Sequence, residues 1–235
     1  MRRESLWMSL IFYILAGSMN IYGAIQNKET RNVTSFSELG LSISADVYIS
    51  QGNKTELIIE GDAKTLKHIE TKISGDVLKI KYDSWNSWKY KKVKIYITSP
   101  NWEGIYLSGS GSITNKTVLN GKKMSISVSG SGIISVDQLS MKQVQVRVSG
   151  SGDVKLGGKD KADLMSISIS GSGDVDASGI PVEEANVRIS GSGGAKVFTE
   201  GDLKVSISGS GNVYYKGSAL IDARISGSGK VKKLE

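Results

Sequence analysis

A chain of 235 residues is long enough for one β domain with a sizeable core. Its 28 glycines beside only 2 prolines exclude collagen and a Pro-rich linker, so glycine must serve periodic turns. The 30 Lys and Arg and 23 Asp and Glu are scattered rather than blocked, which argues against a nucleic-acid partner, and the lack of cysteine excludes a disulfide framework.

Residues 1–24 read as a cleavable signal peptide. Arg2 and Arg3 give a positive start, and residues 6–19 are apolar but short for a bilayer span. Cleavage is expected after Ala24, with Gly23 as the alternative. The mature chain is therefore expected outside the cytoplasm, whether periplasmic, secreted or at the cell surface. Without a cysteine at the cleavage site it is not expected to be a lipoprotein, and no later segment is apolar and long enough to span a membrane.

Residues 25–100 continue in strands. Residues 43–50 alternate, Leu57-Ile58-Ile59 and residues 77–80 are apolar enough for strands, and residues 93–97 alternate cleanly. Asp62 can cap one short helix over residues 63–68. No linker separates this part from the rest of the chain, so residues 25–235 read as one domain, with 25–100 as N-terminal coils and cap and 101–235 as repeat coils. Within the first part, Trp85, Trp88, Tyr90 and Lys91 form an aromatic and basic segment. Aromatics on a loop can stack on sugar rings, and they can equally fold over the body as a hydrophobic cover.

From Ser108 onward the chain repeats. Ser-Gly-Ser-Gly begins at Ser108, Ser129, Ser149, Ser170, Ser190, Ser208 and Ser226, at intervals of 21, 20, 21, 20, 18 and 18 residues. An alternating segment such as Val144-Gln145-Val146-Arg147-Val148 precedes each copy, and a shorter one such as Asp153-Val154-Lys155-Leu156 is read after each. A unit this small cannot bury its own apolar face, but parallel stacking of equivalent strands joins those faces into one core. The pattern predicts an all-β fold, a right-handed parallel β-helix (solenoid) with coils of about 20 residues.

Two-residue steps through the third copy carry the inward set from Val148 across Gly150 and Gly152 to Val154. The motif glycines, Gly109, Gly111, Gly130, Gly132, Gly150, Gly152, Gly171, Gly173, Gly191, Gly193, Gly209, Gly211, Gly227 and Gly229, are thus expected at an inward corner where a side chain would collide with the core. The serines are expected to face water in two ladders, unless a positive φ at the glycine resets the phase.

Chemistry finds few candidates. His68 is the single histidine, which leaves no nucleophile and base pair and no metal cluster, so no catalytic, metal or cofactor residue is assigned. Gly150-Ser151-Gly152 leads into strand rather than helix and does not suit a phosphate cradle. Calcium ligation would need an acid in every unit, whereas the positions equivalent to Asp153 and Asp174 are Ser112, Ile133, Gly194, Asn212 and Lys230. Asp153 and Asp174 should stack on neighbouring coils, and repeat equivalence accounts for them without catalysis.

Residues 31–36, then 43–51, 57–62, 75–80 and 93–100, and then the Ser-Gly-Ser-Gly copies, resemble the head GIN domain family, also labelled putative autotransporter adhesins, over essentially the whole mature chain. The resemblance implies an exported, single-stranded right-handed parallel β-helix of the kind typical of Bacteroidetes and supplies no catalytic residues. The expected function is a non-catalytic binding or adhesion module, with a polysaccharide or a surface protein as candidate partner. The alternative is a carbohydrate-active enzyme on the same scaffold.

Replacing Trp85 and Trp88 together with Ala distinguishes the two readings of that segment. Recognition expects lost glycan-array binding at an unchanged melting temperature. A lowered melting temperature with unchanged binding assigns the tryptophans to packing.

Overall fold

The computed structural model describes residues 27–83 and 90–234. The expected signal peptide lies outside them, as do Trp85 and Trp88. The chain forms β1 (Asn27–Arg31), β2 (Glu38–Leu41), β3 (Ala45–Gln51), β4 (Glu56–Gly61), helix α1 (Ala63–Leu66), β5 (Ile69–Ser74), β6 (Val77–Tyr82), β7 (Val93–Ser99), β8 (Gly104–Leu107) and β9 (Ser112–Asn115). The repeats continue as β10 (Leu119–Val128), β11 (Ile133–Val136), β12 (Leu139–Val148), β13 (Asp153–Gly157), β14 (Ala162–Gly171), β15 (Val175–Gly191), β16 (Gly194–Gly209), β17 (Asn212–Lys216), β18 (Leu220–Gly227) and β19 (Lys230–Lys233).

Together they make a β-solenoid. Each repeat coil lays one strand before the motif and one after it, and a shorter third segment closes the turn. Equivalent strands pair in parallel and in register: Ile126 opposes Val146, Val146 opposes Ile167, Ile167 opposes Val187, and Val187 opposes Val205. The alternating pattern thereby becomes a column of side chains inside the coil, each of these almost fully buried. Burying a Val, Leu or Ile is worth about 1.5–3 kcal/mol, so stacking supplies the driving force that one coil lacks.

The order of coils is linear in the repeats and broken at the N-terminus. The β2–β3 coil pairs on one side with β6 and β7 and on the other with β8 and β9, all in parallel. The chain therefore lays β2 and β3, leaves to build β4 to β7 beneath them, and returns above them with β8. The far side is closed by antiparallel strands, β4 on β7, β1 on β4, and β5 on β6. These cover the strand edges that an open coil would present. Helix α1 is shorter than expected and ends at Leu66, and Asp62 Oδ1 caps it by accepting the Thr65 amide at 3.2 Å. At the other end, β18 pairs with β16 and β19 with β17, and the inward-directed Ile221 and Ile225 are 43% and 44% exposed.

The motif corners show why glycine recurs. In all seven copies both serines are exposed, and the second glycine is buried in the first six. From the third copy on, φ at the first glycine is positive, from 154° at Gly150 to 122° at Gly227. The inward and outward alternation nevertheless runs on through buried Gly152 to Val154, with Ser151 and Asp153 exposed between them. The obstacle to a side chain also differs from expectation. A Cβ on Gly150 would stand 2.7 Å from the carbonyl oxygen of Gly130, one coil back, so the collision is with backbone as well as with core. For Gly152 the obstacles are the Gly132 carbonyl and Val128, each at 2.5 Å. That closeness is functional for the stack: the Gly150 carbonyl accepts from the amides of both Ser172 and Gly173, at 3.0 and 3.1 Å.

Gly173→Ala, whose Cβ would run into the Gly152 carbonyl, is expected to lower unfolding stability by about 2 kcal/mol or more. The exposed Ser172→Ala should stay within about 0.5 kcal/mol of the parent in the same urea titration.

Candidate functional site

The residues singled out as an aromatic contact site divide. The Tyr90 ring stacks on Tyr82 with centroids 3.9 Å apart and lies 5.7 Å from the His68 ring. The Lys91 amide donates to Thr65 Oγ1 at 3.2 Å. His68 Nδ1 lies 3.3 Å from the Asp83 carboxylate, which gives this histidine a partner in a surface cluster. Trp102, further along the chain, is a core residue whose Nε1 donates to the Ser50 carbonyl at 2.9 Å while its ring meets Phe36 edge-on.

The stacked acids also have a structural role. Asp153 Oδ1 accepts the Asp174 amide at 3.0 Å, and Asp174 Oδ1 accepts the Gly194 amide at 2.7 Å. Each carboxylate thus holds the start of the next coil. Among the described residues no three His, Asp or Glu side chains gather as a metal site.

What the fold brings together instead is a row of arginines on the outward face before the motif. Two residues ahead of successive copies stand Tyr106, Ser127, Arg147, Ser168, Arg188, Ser206 and Arg224. Strand pairing sets each opposite the next: Tyr106 with Ser127, Ser127 with Arg147, Arg147 with Ser168, Ser168 with Arg188, Arg188 with Ser206, and Ser206 with Arg224. Guanidinium groups therefore recur on every second coil, at a rise of roughly 9.6 Å from strand spacing, with a serine between. All three arginines are exposed.

Beside this row, four residues ahead of the motif, run Ser125, Gln145, Ser166, Asn186, Lys204 and Asp222. Between the two rows lies a shallow groove of about 490 Å³ lined by Gln145, Arg147, Ser168, Asn186 and Arg188. It continues into a second of about 290 Å³ that includes Arg188, Ser206, Asp222 and Arg224. Charges on this face are unequally matched. Glu184 accepts from Asn186 Nδ2 at 3.0 Å and pairs with Lys204 at 3.2 Å, and these two contacts, the Asn186 bond first, hold its carboxyl below the usual glutamate range. Arg147, Arg188 and Arg224 take part in no ion pair among the described residues, whereas Lys204 in the flanking row pairs with Glu184. At the lower end of the row, burial and then the neighbouring Glu38 carboxylate raise the Tyr106 hydroxyl above its ordinary pKa.

Motif spacing carried the signal for this row. Alternation alone marks Arg147 and Arg188 as outward polar residues, and only alignment of the copies at the position two before each motif reveals the recurrence.

A family model described as "Putative auto-transporter adhesin, head GIN domain" matches residues 35–219. Among solved structures, a putative adhesin from Bacteroides fragilis superposes with a TM-score of 0.84 at 25% identity, over 89% of this chain and 97% of its own. A putative lipid binding protein from Parabacteroides distasonis gives 0.74 at 23% identity, over 91% and 98%. A putative adhesin from the same species gives 0.72 at 21%, over 89% and 97%. The last two speak to the fold alone. No curated protein matches the chain.

If the two aspartates act as acceptors, Asp174→Ala should cost about 1 kcal/mol of unfolding stability, and Asp174→Asn, which keeps a carbonyl oxygen, distinctly less. Equal losses in guanidinium titrations would mean that the charge, not the acceptor, is what the coil uses.

Proposed function

The chain belongs to the head GIN domain family of putative auto-transporter adhesins, and from that premise we propose that it is an exported, non-catalytic adhesion module that holds its partner on the outward face before the motif. In this reading residues 1–24 are removed on export and residues 25–235 act as one unit outside the cytoplasm. The observation that carries it is the row of arginines along that face: the core is complete without them, and no carboxylate among the described residues forms an ion pair with them. Buried or paired groups have a role in folding. These three have none visible, and surface cations kept free on a rigid sheet are suited to recognition.

The aromatic segment is the weaker contact surface in this reading, since Tyr90 and Lys91 are both drawn into contacts within the protein. Catalysis is weaker still. Asp153 and Asp174 each spend an oxygen on backbone amides, and His68 lies beside Asp83 away from them in the chain. No helix among the described residues is long and apolar enough to cross a membrane.

Purified residues 25–235 should be retained on polysaccharide-coated surfaces or whole cells and should release neither reducing ends nor unsaturated sugars from the polymers. Release that Asp153→Asn abolishes would replace this reading with that of a carbohydrate-active enzyme.

A further inference from the structure

We propose that Arg147, Arg188 and Arg224, with Ser168 and Ser206 between them, form a track for a linear acidic polysaccharide lying along the solenoid axis, with one carboxylate or sulfate on every second sugar. The proposal rests on the adhesion reading above and names the ligand class of that face. It begins from register: parallel pairing is unbroken from Ser127 to Arg224, so the row passes from coil to coil without a slip and its charges are evenly pitched. A guanidinium presents a planar fork of donors that matches a carboxylate or sulfate in bidentate fashion. The rise between arginines, roughly 9.6 Å, is comparable to one disaccharide of an extended chain.

The rest of the face suits sugars. The intervening positions are hydroxyls, and Gln145 and Asn186 in the flanking row supply amide groups that can both donate to and accept from sugar hydroxyls. The groove between the rows is shallow and open, as an extended polymer running past both ends requires.

Other polyanions fit less well. From Ser125 to Arg224 the two rows hold no aromatic side chain on which a base could stack, as single-stranded nucleic acid binders use. Nor do these rows hold an apolar side chain to enter a lipid surface. One arginine per two coils is sparse for a polymer charged at every unit, and Glu184 and Asp222 alongside would repel a denser one. The pattern therefore selects charge spacing, not charge alone.

The test uses purified residues 25–235 and a hyaluronan oligosaccharide long enough to span five coils, which bears one carboxylate per disaccharide, with binding read by calorimetry. A neutral cello-oligosaccharide, a single-stranded oligonucleotide and phosphatidylserine vesicles serve as controls. The parent should bind hyaluronan above all three, with affinity falling as salt rises. Arg188→Gln should weaken binding about tenfold, Arg188→Lys less, and the triple Arg147→Gln, Arg188→Gln, Arg224→Gln variant should lose it. The unfolding midpoint should hold throughout, because all three side chains are exposed. Unchanged binding by the triple variant would overturn the track. So would equal affinity for the oligonucleotide or vesicles, which would make this a general anionic face. Retention on cells or other polymers with no response to hyaluronan would also overturn the track yet leave the adhesion reading standing, whereas hydrolysis or elimination of the polymer would remove that reading itself.

Discussion

At the motif corners from the third copy to the sixth, a glycine carbonyl points along the stack and accepts two amide protons from the coil above. The Gly150 carbonyl takes two, from Ser172 and Gly173, and the Gly171 carbonyl takes two from Ser192 and Gly193. Backbone approaches backbone so closely there that a Cβ has no room, and that single requirement propagates outward. It keeps the corners superposed, superposed corners keep the flanking strands in register, and register turns each inward position into a continuous apolar column. The serines at the same corners answer to no comparable constraint. They are small, polar and exposed, and the fold asks nothing more of them.

The repeats could be read from residues because every level agrees there: the interval, the alternation and the turn chemistry all point to stacked coils. Val144, Val146, Val148, Val154 and Leu156 are buried where their two-residue steps put them. The N-terminal part was legible only as strands. Nothing in residues 56–61 distinguishes a strand that will pair antiparallel with β7 from one that will stack in parallel, because pairing direction is decided by where the partner lies, not by local propensity. Nor could alternation tell that the β2–β3 coil would be enclosed by segments that come after it in the chain. At the candidate site, composition drew attention to aromatic and basic residues in one loop, of which Tyr90 and Lys91 make contacts inside the protein. The arginine row lay dispersed along the sequence from Arg147 to Arg224, with its members gathered only by the fold.

A division of labour arises from the geometry. Inward positions are committed to packing and corner positions to backbone contact, so only outward positions on the flat sides remain free to vary. On the face before the motif that freedom has been used for evenly pitched cations, while Lys204 beside them is neutralised by Glu184 one coil away. The scaffold works as a ruler, converting a sequence period into a spatial one. Any ligand that reads it must itself be periodic.

The enclosure of the β2–β3 coil gives the molecule two dissimilar ends. Near the N-terminus, strands remote in sequence hold one another, and none of β2, β3, β6 or β7 can leave without parting two interfaces. At the far end, among the described residues, the β18–β19 coil pairs with the single coil beneath it, so each coil there is held by fewer interfaces than at the enclosed end. Hydrogen exchange would then run as a gradient along the axis, fastest at β19 and slowest around β3, and a pulling force applied at the C-terminus would unravel the solenoid coil by coil toward a clasp that yields last.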